Sequence, residues 1–316
     1  MRPDEVVRIC TDLMRTEFEK FSTAARVVVE ERAQEFLYNY MSRQAQVAPE
    51  SAISMEQPRM QRALQSAQIE YATSGEADLG SVLVDLVVDL SQQDGQSVYA
   101  TSITEAISIA PKLTTAQMNA LAIVTTLRLR TWGWSTLQDM YDGLRRLVVP
   151  FIGELPDGGL DYRHMQGVGV SWMGAGTRAS LPGLLLDMYP GMFTLGTLPG
   201  EVPSVVQSIE GAVVDALRDP DRKQLSVIAT ANLSRVFEQN NFSTEVEDVL
   251  KQFQRSNLFD AARAELDITS RIPEIKKLIS VWDDTNLKDV EVSSAGLVIA
   301  DAHLRSKVED VPALGF

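Results

Sequence analysis

The amino-acid sequence predicts an all-α protein: a multi-helix array with a long N-terminal helix and a Gly/Pro-rich irregular middle segment. Three observations carry that expectation. Apolar residues recur at helical spacing through most of the chain. Ser or Thr followed three residues later by Gln, a helix-start pattern, opens several of those stretches. Glycine gathers instead in residues 153–200, which hold 11 of the 19 glycines, where it favours turns and close backbone approach.

Residues 4–46 read as one long amphipathic helix, or as two with a kink near Ser22-Thr23. Val6, Ile9, Leu13, Phe18, Phe21, Ala25, Val28, Phe36, Leu37 and Tyr40 mark its apolar side. Pro3 suits a helix start, because its missing N–H costs nothing there. A rod of that length would reach about 60 Å, so part of it is expected to project or to pack along another subunit. Residues 47–58 read as a linker. Residues 60–73 form the next expected helix, stopped by Ser74-Gly75. The stretch 78–91 is rich in β-branched residues, yet Asp85 and Asp89 share one helical face at a spacing of four, which favours a helix. Further helices are expected at 97–110, at 114–131 with Thr114 and Gln117 as its cap pair, and from Ser135/Gln138 to about 149. The short connections favour antiparallel neighbours.

Composition shifts at about 151. The shift divides the chain into a helical part, residues 1–150, and residues 151–316, a glycine-rich segment followed by a helical C-terminal region, as two domains or as one integrated domain. Helical pieces are expected at 161–166 and 181–188 within the glycine-rich segment. Ser204/Gln207 reads as a cap for a helix to about 218, closed by Asp219-Pro220. Helices are expected next at 224–239, 244–256 and 272–282. A short apolar stretch at 290–292 then leads into a helix capped by Ser293 and ending near 307, followed by a tail.

Charge and composition narrow the function classes. The chain carries 43 acidic against 29 basic residues, a formal charge of −14. No run of Lys or Arg is present to displace phosphate counterions, which argues against nucleic acid as a partner. With one cysteine, Cys10, there is no intrachain disulfide and no cysteine-based zinc site. Cys10 sits on the apolar side of the first expected helix, as buried filler. The N-terminus lacks the apolar core of a secretory signal, and no uncharged stretch reaches the roughly 20 residues that span a bilayer. A cytoplasmic location follows as the default.

Motifs for chemistry are sparse. Gly174-x-Gly176-x-x-Ala179 matches the dinucleotide pattern in letters, but Pro182-Gly183 interrupts the helix it requires and no strand–helix–strand frame surrounds it. Ser171 lacks the glycine a nucleophile elbow needs, since Met173 stands there. Only His164 and His303 could serve a Ser/His/Asp site. His164 lies beside the glycine segment in Asp161-Tyr162-Arg163-His164, where Arg163 could hold an anion while His164 moves a proton; a hydrogen-bonded structural histidine is the competing reading. The carboxylate pairs, Asp85/Asp89 among them, read as solvated helix faces. Trp132 and Trp134 read as core plugs where helices turn, with an exposed contact as the alternative. No motif implies a metal or a cofactor.

Several blocks together resemble a known family. The segments IEYATSGEADLGSVLVDLVVDL, EAISIAPKLTTAQMNALAIV, DYRHMQGVGVS and VSSAGLVIADAHLRSK, with the N-terminal EVVRICTDLMRTEFEKFSTAARVVVEERAQEF, are similar to an uncharacterised family of mostly helical bacterial proteins designated by locus tags. The resemblance runs in order along most of the chain and implies a bacterial or phage-related origin. It carries no activity, cofactor or catalytic residue. The expected function is therefore a non-enzymatic one: a protein-interaction or oligomeric scaffold protein, in a bacterial stress or antiphage response, meeting a protein partner or a second copy through the N-terminal helix. The alternative is a ligand-binding protein or an enzyme using the segment 161–179, with His164, Asp161, Tyr162, Arg163, Gly174 and Gly176 as its ligand-binding residues.

Overall fold

The computed structural model describes residues 19, 21–93, 95, 97–175, 178–312 and 314, with residues 52–55 as backbone alone. In chain order the helices are α1 (Thr23–Val47), α2 (Pro58–Ser74), α3 (Ala77–Ser91), α4 (Val98–Ile109), α5 (Thr115–Val124), α6 (Leu137–Leu147), α7 (Gly159–Gly167), α8 (Leu181–Met188), α9 (Pro190–Phe193), α10 (Ser204–Gln207), α11 (Thr230–Asn240), α12 (Thr244–Gln254), α13 (Ala261–Arg271), α14 (Ile275–Asp284) and α15 (Ser294–Lys307). Four strands, β1 (Ser171–Met173), β2 (Val213–Ala216), β3 (Asp219–Leu225) and β4 (Val290–Val292), form two antiparallel pairs, β1–β4 and β2–β3. The protein is thus predominantly helical, in line with the coarser form of the expectation, with two small sheets beside the helices.

The chain divides into two compact units that interleave in sequence. The first comprises Met1–Thr125, Glu154–Gly174 and Val290–Phe316; the second comprises Thr126–Gly153 and Ala175–Asp289.

In the first unit, α1 begins where Ser22 accepts from the Ala25 N–H at 3.4 Å in an extended conformation. The anticipated kink position is therefore a helix start, and the portion 4–18 of the expected rod, with Cys10, lies outside the described residues. Val29, Ala33, Phe36, Leu37, Tyr40 and Gln44 form its buried stripe, which packs on α2 and α3. Gly75, at φ +71, ends α2 in the left-handed region by donating to the Tyr71 carbonyl. Helices α3 and α15 are the centre of the unit: they pack on each other, and α15 also packs on α4 and α5. Gly296 lets α15 approach closely, since a Cβ there would lie 2.1 Å from the Val170 carbonyl oxygen. Helix α5 opens with the expected capping box of Thr114 and Gln117, but it passes into a π-helical turn at Thr125–Leu129 rather than continuing to 131.

In the second unit, the cap of α6 is Thr136 with Asp139, one residue beyond the expected Ser135/Gln138 pair. The helix expected from 204 to 218 is corrected to the single turn α10 followed by the hairpin β2–β3. Gly211, at φ +72, breaks the helical path, and β-branched Val213 and Val214 then pair with Leu225 and Gln224. The hairpin takes the residues that would have begun a helix at 224, so α11 starts at Thr230. Val202, Val206, Leu225, Leu233, Leu250 and Phe253 close a core under the hairpin. Trp282 of α14 is 1% exposed. Its indole N–H donates to the Ala179 carbonyl at 3.2 Å. Helix α13 had no counterpart in the sequence reading, and Trp132 and Trp134 are half-buried rather than core plugs. Among the described residues, no helix is long and apolar enough to cross a membrane.

Candidate functional site

The segment singled out by sequence is tied into the first unit by its own hydrogen bonds. The Gln117 amide N–H donates to the Asp161 carbonyl at 3.0 Å, and its oxygen lies 3.2 Å from His164 Nδ1. That oxygen also accepts from the Thr114 N–H at 3.1 Å, so His164 Nδ1 carries the proton and donates. The Tyr162 hydroxyl is buried and donates to the Pro156 carbonyl. Gln117 thus brings Asp161 and His164 together, by a backbone oxygen and a ring nitrogen rather than by a carboxylate–imidazole contact. Arg163 and His164 are exposed, Gly174 is half-buried just beyond β1, and Gly176 lies outside the described residues.

His303 is the counterpart in the core. Its Nε2 lies 2.7 Å from Asn119 Oδ1, and the Asn119 amide donates to the Glu154 carbonyl. The amide is therefore oriented with its oxygen toward the imidazole, and His303 donates from Nε2. Burial, followed by the charge of Lys307, holds its pKa down to about 4.

One buried charge cluster includes Asp85 and Asp89, which the sequence reading placed on a solvated face. Asp85 and Asp89 of α3 are buried, with Asp301 and Arg305 of α15 against them. Arg305 reaches three carboxylates: Nε to Asp301 at 2.9 Å, Nη2 to Asp89 at 2.5 Å and Nη1 to Asp85 at 3.9 Å. Arg43 of α1 adds a two-pronged contact to Asp85, at 2.7 and 3.4 Å. Burial alone would lower the Arg305 pKa, but Asp89, Asp301 and Asp85 together raise it above the ordinary guanidinium value. For Asp89 burial wins over the pull of Arg305 and pushes the carboxyl up to about 6. Tyr99 of α4, facing the same cluster, is pushed up to about 12 by burial and then by the Asp89 charge.

A groove of about 430 Å³ opens over this cluster between α1, α3 and the end of α15, with Glu35, Arg43, Tyr71, Asp85, Arg305 and Glu309 among its lining residues. Its volume lies in the range of small-molecule sites. Phe36 and Tyr71 pair their rings at one wall with centroids 5.8 Å apart. No group of three or more His, Cys, Asp or Glu side chains poised to hold a metal occurs among the described residues. In the cluster itself the space between the three carboxylates is filled by the Arg305 guanidinium. The sequence signal for it was present in two pieces, Asp85/Asp89 and Asp301/Arg305, each spaced four apart on one helix.

The second unit has its own closed network. Arg218 donates to both oxygens of Asp267 at 3.0 and 2.8 Å and to the Met192 carbonyl. Tyr141 donates to Asp267 at 2.5 Å, and Phe259 lies under the guanidinium at 4.5 Å. Burial would raise the Asp267 pKa, but hydrogen bonds from Arg218 and Tyr141 leave it below the ordinary carboxylate range. These groups satisfy one another and bind α6, α9, α13 and the β2–β3 turn together.

The model of an uncharacterised family designated by locus tag matches residues 1–314 of the chain. No curated protein and no solved structure matches it.

Proposed function

The chain belongs to that uncharacterised locus-tag family, and we propose that it is a non-enzymatic interaction protein of the cytoplasm that assembles through its first long helix. One observation carries this reading. Opposite its buried stripe, α1 leaves Val27, Val28 and Tyr38 exposed at 52%, 43% and 73%. Val27 and Tyr38 stand eleven residues apart, about three turns, and so share one face. The occupant is a second copy of the chain. In an antiparallel pair of such helices, Val27 and Val28 of one copy meet Tyr38 of the other, burying an aromatic anchor against branched aliphatics. Glu31 falls between them on each copy. The interface is thus apolar at its ends and self-repelling at its centre, a composition suited to weak, salt-sensitive association.

Sedimentation velocity across a concentration series tests this. The wild-type chain is expected to associate as its concentration rises, while Tyr38→Glu and Val28→Glu remain monomeric with an unchanged helical circular dichroism spectrum. A wild-type chain that stays monomeric throughout the series, indistinguishable from both variants, overturns the proposal.

A further inference from the structure

We infer that the free edge of β2 is a docking site for an extended, cationic peptide segment of another protein, which adds to the β2–β3 hairpin as a strand and sets one large apolar side chain into the groove beside it. The pairing within the hairpin dictates where its unused main-chain groups point. Lys223 of β3 exchanges hydrogen bonds through both its N–H and its C=O with Thr197, at 2.8 Å each. Those groups therefore face away from β2. Asp215 lies opposite Lys223, so the two do not exchange hydrogen bonds, and the N–H and C=O of Asp215 face away from β3. The Ser226 N–H donates to the Ala212 carbonyl at 2.8 Å, so Ala212 faces β3 and Val213, the next residue, faces outward as Asp215 does. Among the described residues, no segment outside the hairpin bonds to the main chain of Val213 or Asp215. The edge thus presents two donors and two acceptors at the spacing of an extended chain, with Val214 and Asp215 exposed.

The surface beside that edge selects the kind of segment. Side chains alternate across a sheet, so Val214 and its partner Gln224 share a face, and both line a groove of about 450 Å³. Trp134, Leu217, Ile228 and Val236 form its other walls. Among the described residues, none that lines it is charged, so the side chain that enters it opposite Val214 is large and uncharged. Asp215 points from the opposite face. Its carboxylate meets Lys223 through one oxygen, which leaves the other for a Lys or Arg opposite it. The charge of −14 on the chain draws such a cationic segment in. A second copy does not suit the groove. Pairing of β2 with itself about Val214 offers, next to that valine, Ala212 and Ala216, which are buried in their own copy, so the groove stays empty.

These contacts define a recognition sequence. In an antiparallel pairing the residue opposite Asp215 comes first, then the one opposite Val214, then the one opposite Val213. The first is Lys or Arg, the second is aromatic or long aliphatic, and the third is free to vary. The first and third exchange main-chain hydrogen bonds with Asp215 and Val213, which supply affinity, and the second supplies specificity through the groove. This surface lies wholly in the second unit and operates whether or not the outer face of α1 associates.

Two-dimensional amide NMR of the full chain, titrated with the peptide acetyl-Ser-Lys-Phe-Thr-Ser-amide into the millimolar range, tests the site. The Val213 and Asp215 amides and the Trp134 indole N–H are expected to shift together and to saturate. N-methylation of the peptide at its Lys and Thr nitrogens removes the donors it offers to the edge and is expected to weaken binding about tenfold. Glycine in place of the peptide's Phe leaves the groove unfilled and is expected to weaken binding by about as much or more. Asp215→Pro removes an outward donor without touching the β2–β3 ladder, and is expected to lose binding with an unchanged circular dichroism spectrum. The absence of a saturable shift, equal binding by either altered peptide, or binding retained in Asp215→Pro overturns the proposal. So do Val213 and Asp215 shifts that follow protein concentration without peptide, because a second copy would then hold the edge. Should Asp215→Pro not fold, the two altered peptides decide the question on the wild-type chain.

Discussion

Two buried titratable side chains on neighbouring helices place opposite demands on solvent pH. His303 has its pKa depressed to about 4, so the unfolded chain takes up a proton there before the folded one does. Its contribution is present above pH 6.5 and is lost as pH falls toward 4. Asp89 is raised to about 6, so the folded chain holds that proton more tightly, and its contribution is lost as pH rises through that value. The two slopes oppose each other between about pH 4 and 6. Replacing His303 with Gln is expected to remove one of them: relative to wild type, the variant should gain about 2 kcal/mol on going from about pH 6.5 to 4.5, read by urea unfolding at each pH. A parallel pair of curves would show that His303 is not held neutral. At Gly296 the constraint is steric. A methyl group there meets the Val170 carbonyl oxygen, a backbone atom, at 2.1 Å, so Gly296→Ala is expected to cost about 3 kcal/mol, measured as a lowered urea midpoint.

At the scale of elements, the capping box of α5 does more than start a helix. Thr114 receives the Gln117 N–H at 3.2 Å, an ordinary cap worth about 1 kcal/mol. Gln117 also carries the links to Asp161 and His164 of α7. Gln117→Ala is therefore expected to destabilise by about 2 kcal/mol, more than Thr114→Ala, and equal losses in urea unfolding would mean that the α5–α7 links contribute nothing. Sequence pattern made part of this visible. The cap pair at Thr114/Gln117, the stop at Gly75 and the helix opened by Ser293 are local signals, fixed by residues within a turn of one another, and each is present in the structure. Helix α13 left little trace because only Ala264, Ile268 and Thr269 of its residues are buried. The strand β3 reads DPDRKQL, with no apolar alternation to announce it. The charge cluster was misread for a different reason. Arg43 lies 42 residues from Asp85, and Arg305 lies 216 residues from Asp89. Separations of that size appear in no local pattern, and a lone carboxylate pair on a helix is indistinguishable from a solvated face until the opposing helix is in place.

At the scale of the whole molecule, net charge bears on the proposed self-association through α1. The chain carries a charge of −14, so two copies repel each other at long range, and Glu31 on the outer face of α1 adds to that repulsion at close range. The apolar contact of Val27, Val28 and Tyr38 is insensitive to ionic strength, while the repulsion is screened over a Debye length of about 10 Å at 0.1 M salt. Salt and apolar burial therefore act together. The most direct measurement is the dissociation constant of the wild-type self-association, determined by sedimentation equilibrium at low and at high salt. Assembly through α1 requires that constant to fall as salt rises and the association to vanish in Tyr38→Glu. Association that weakens with salt, or that survives unchanged in Tyr38→Glu, would contradict it.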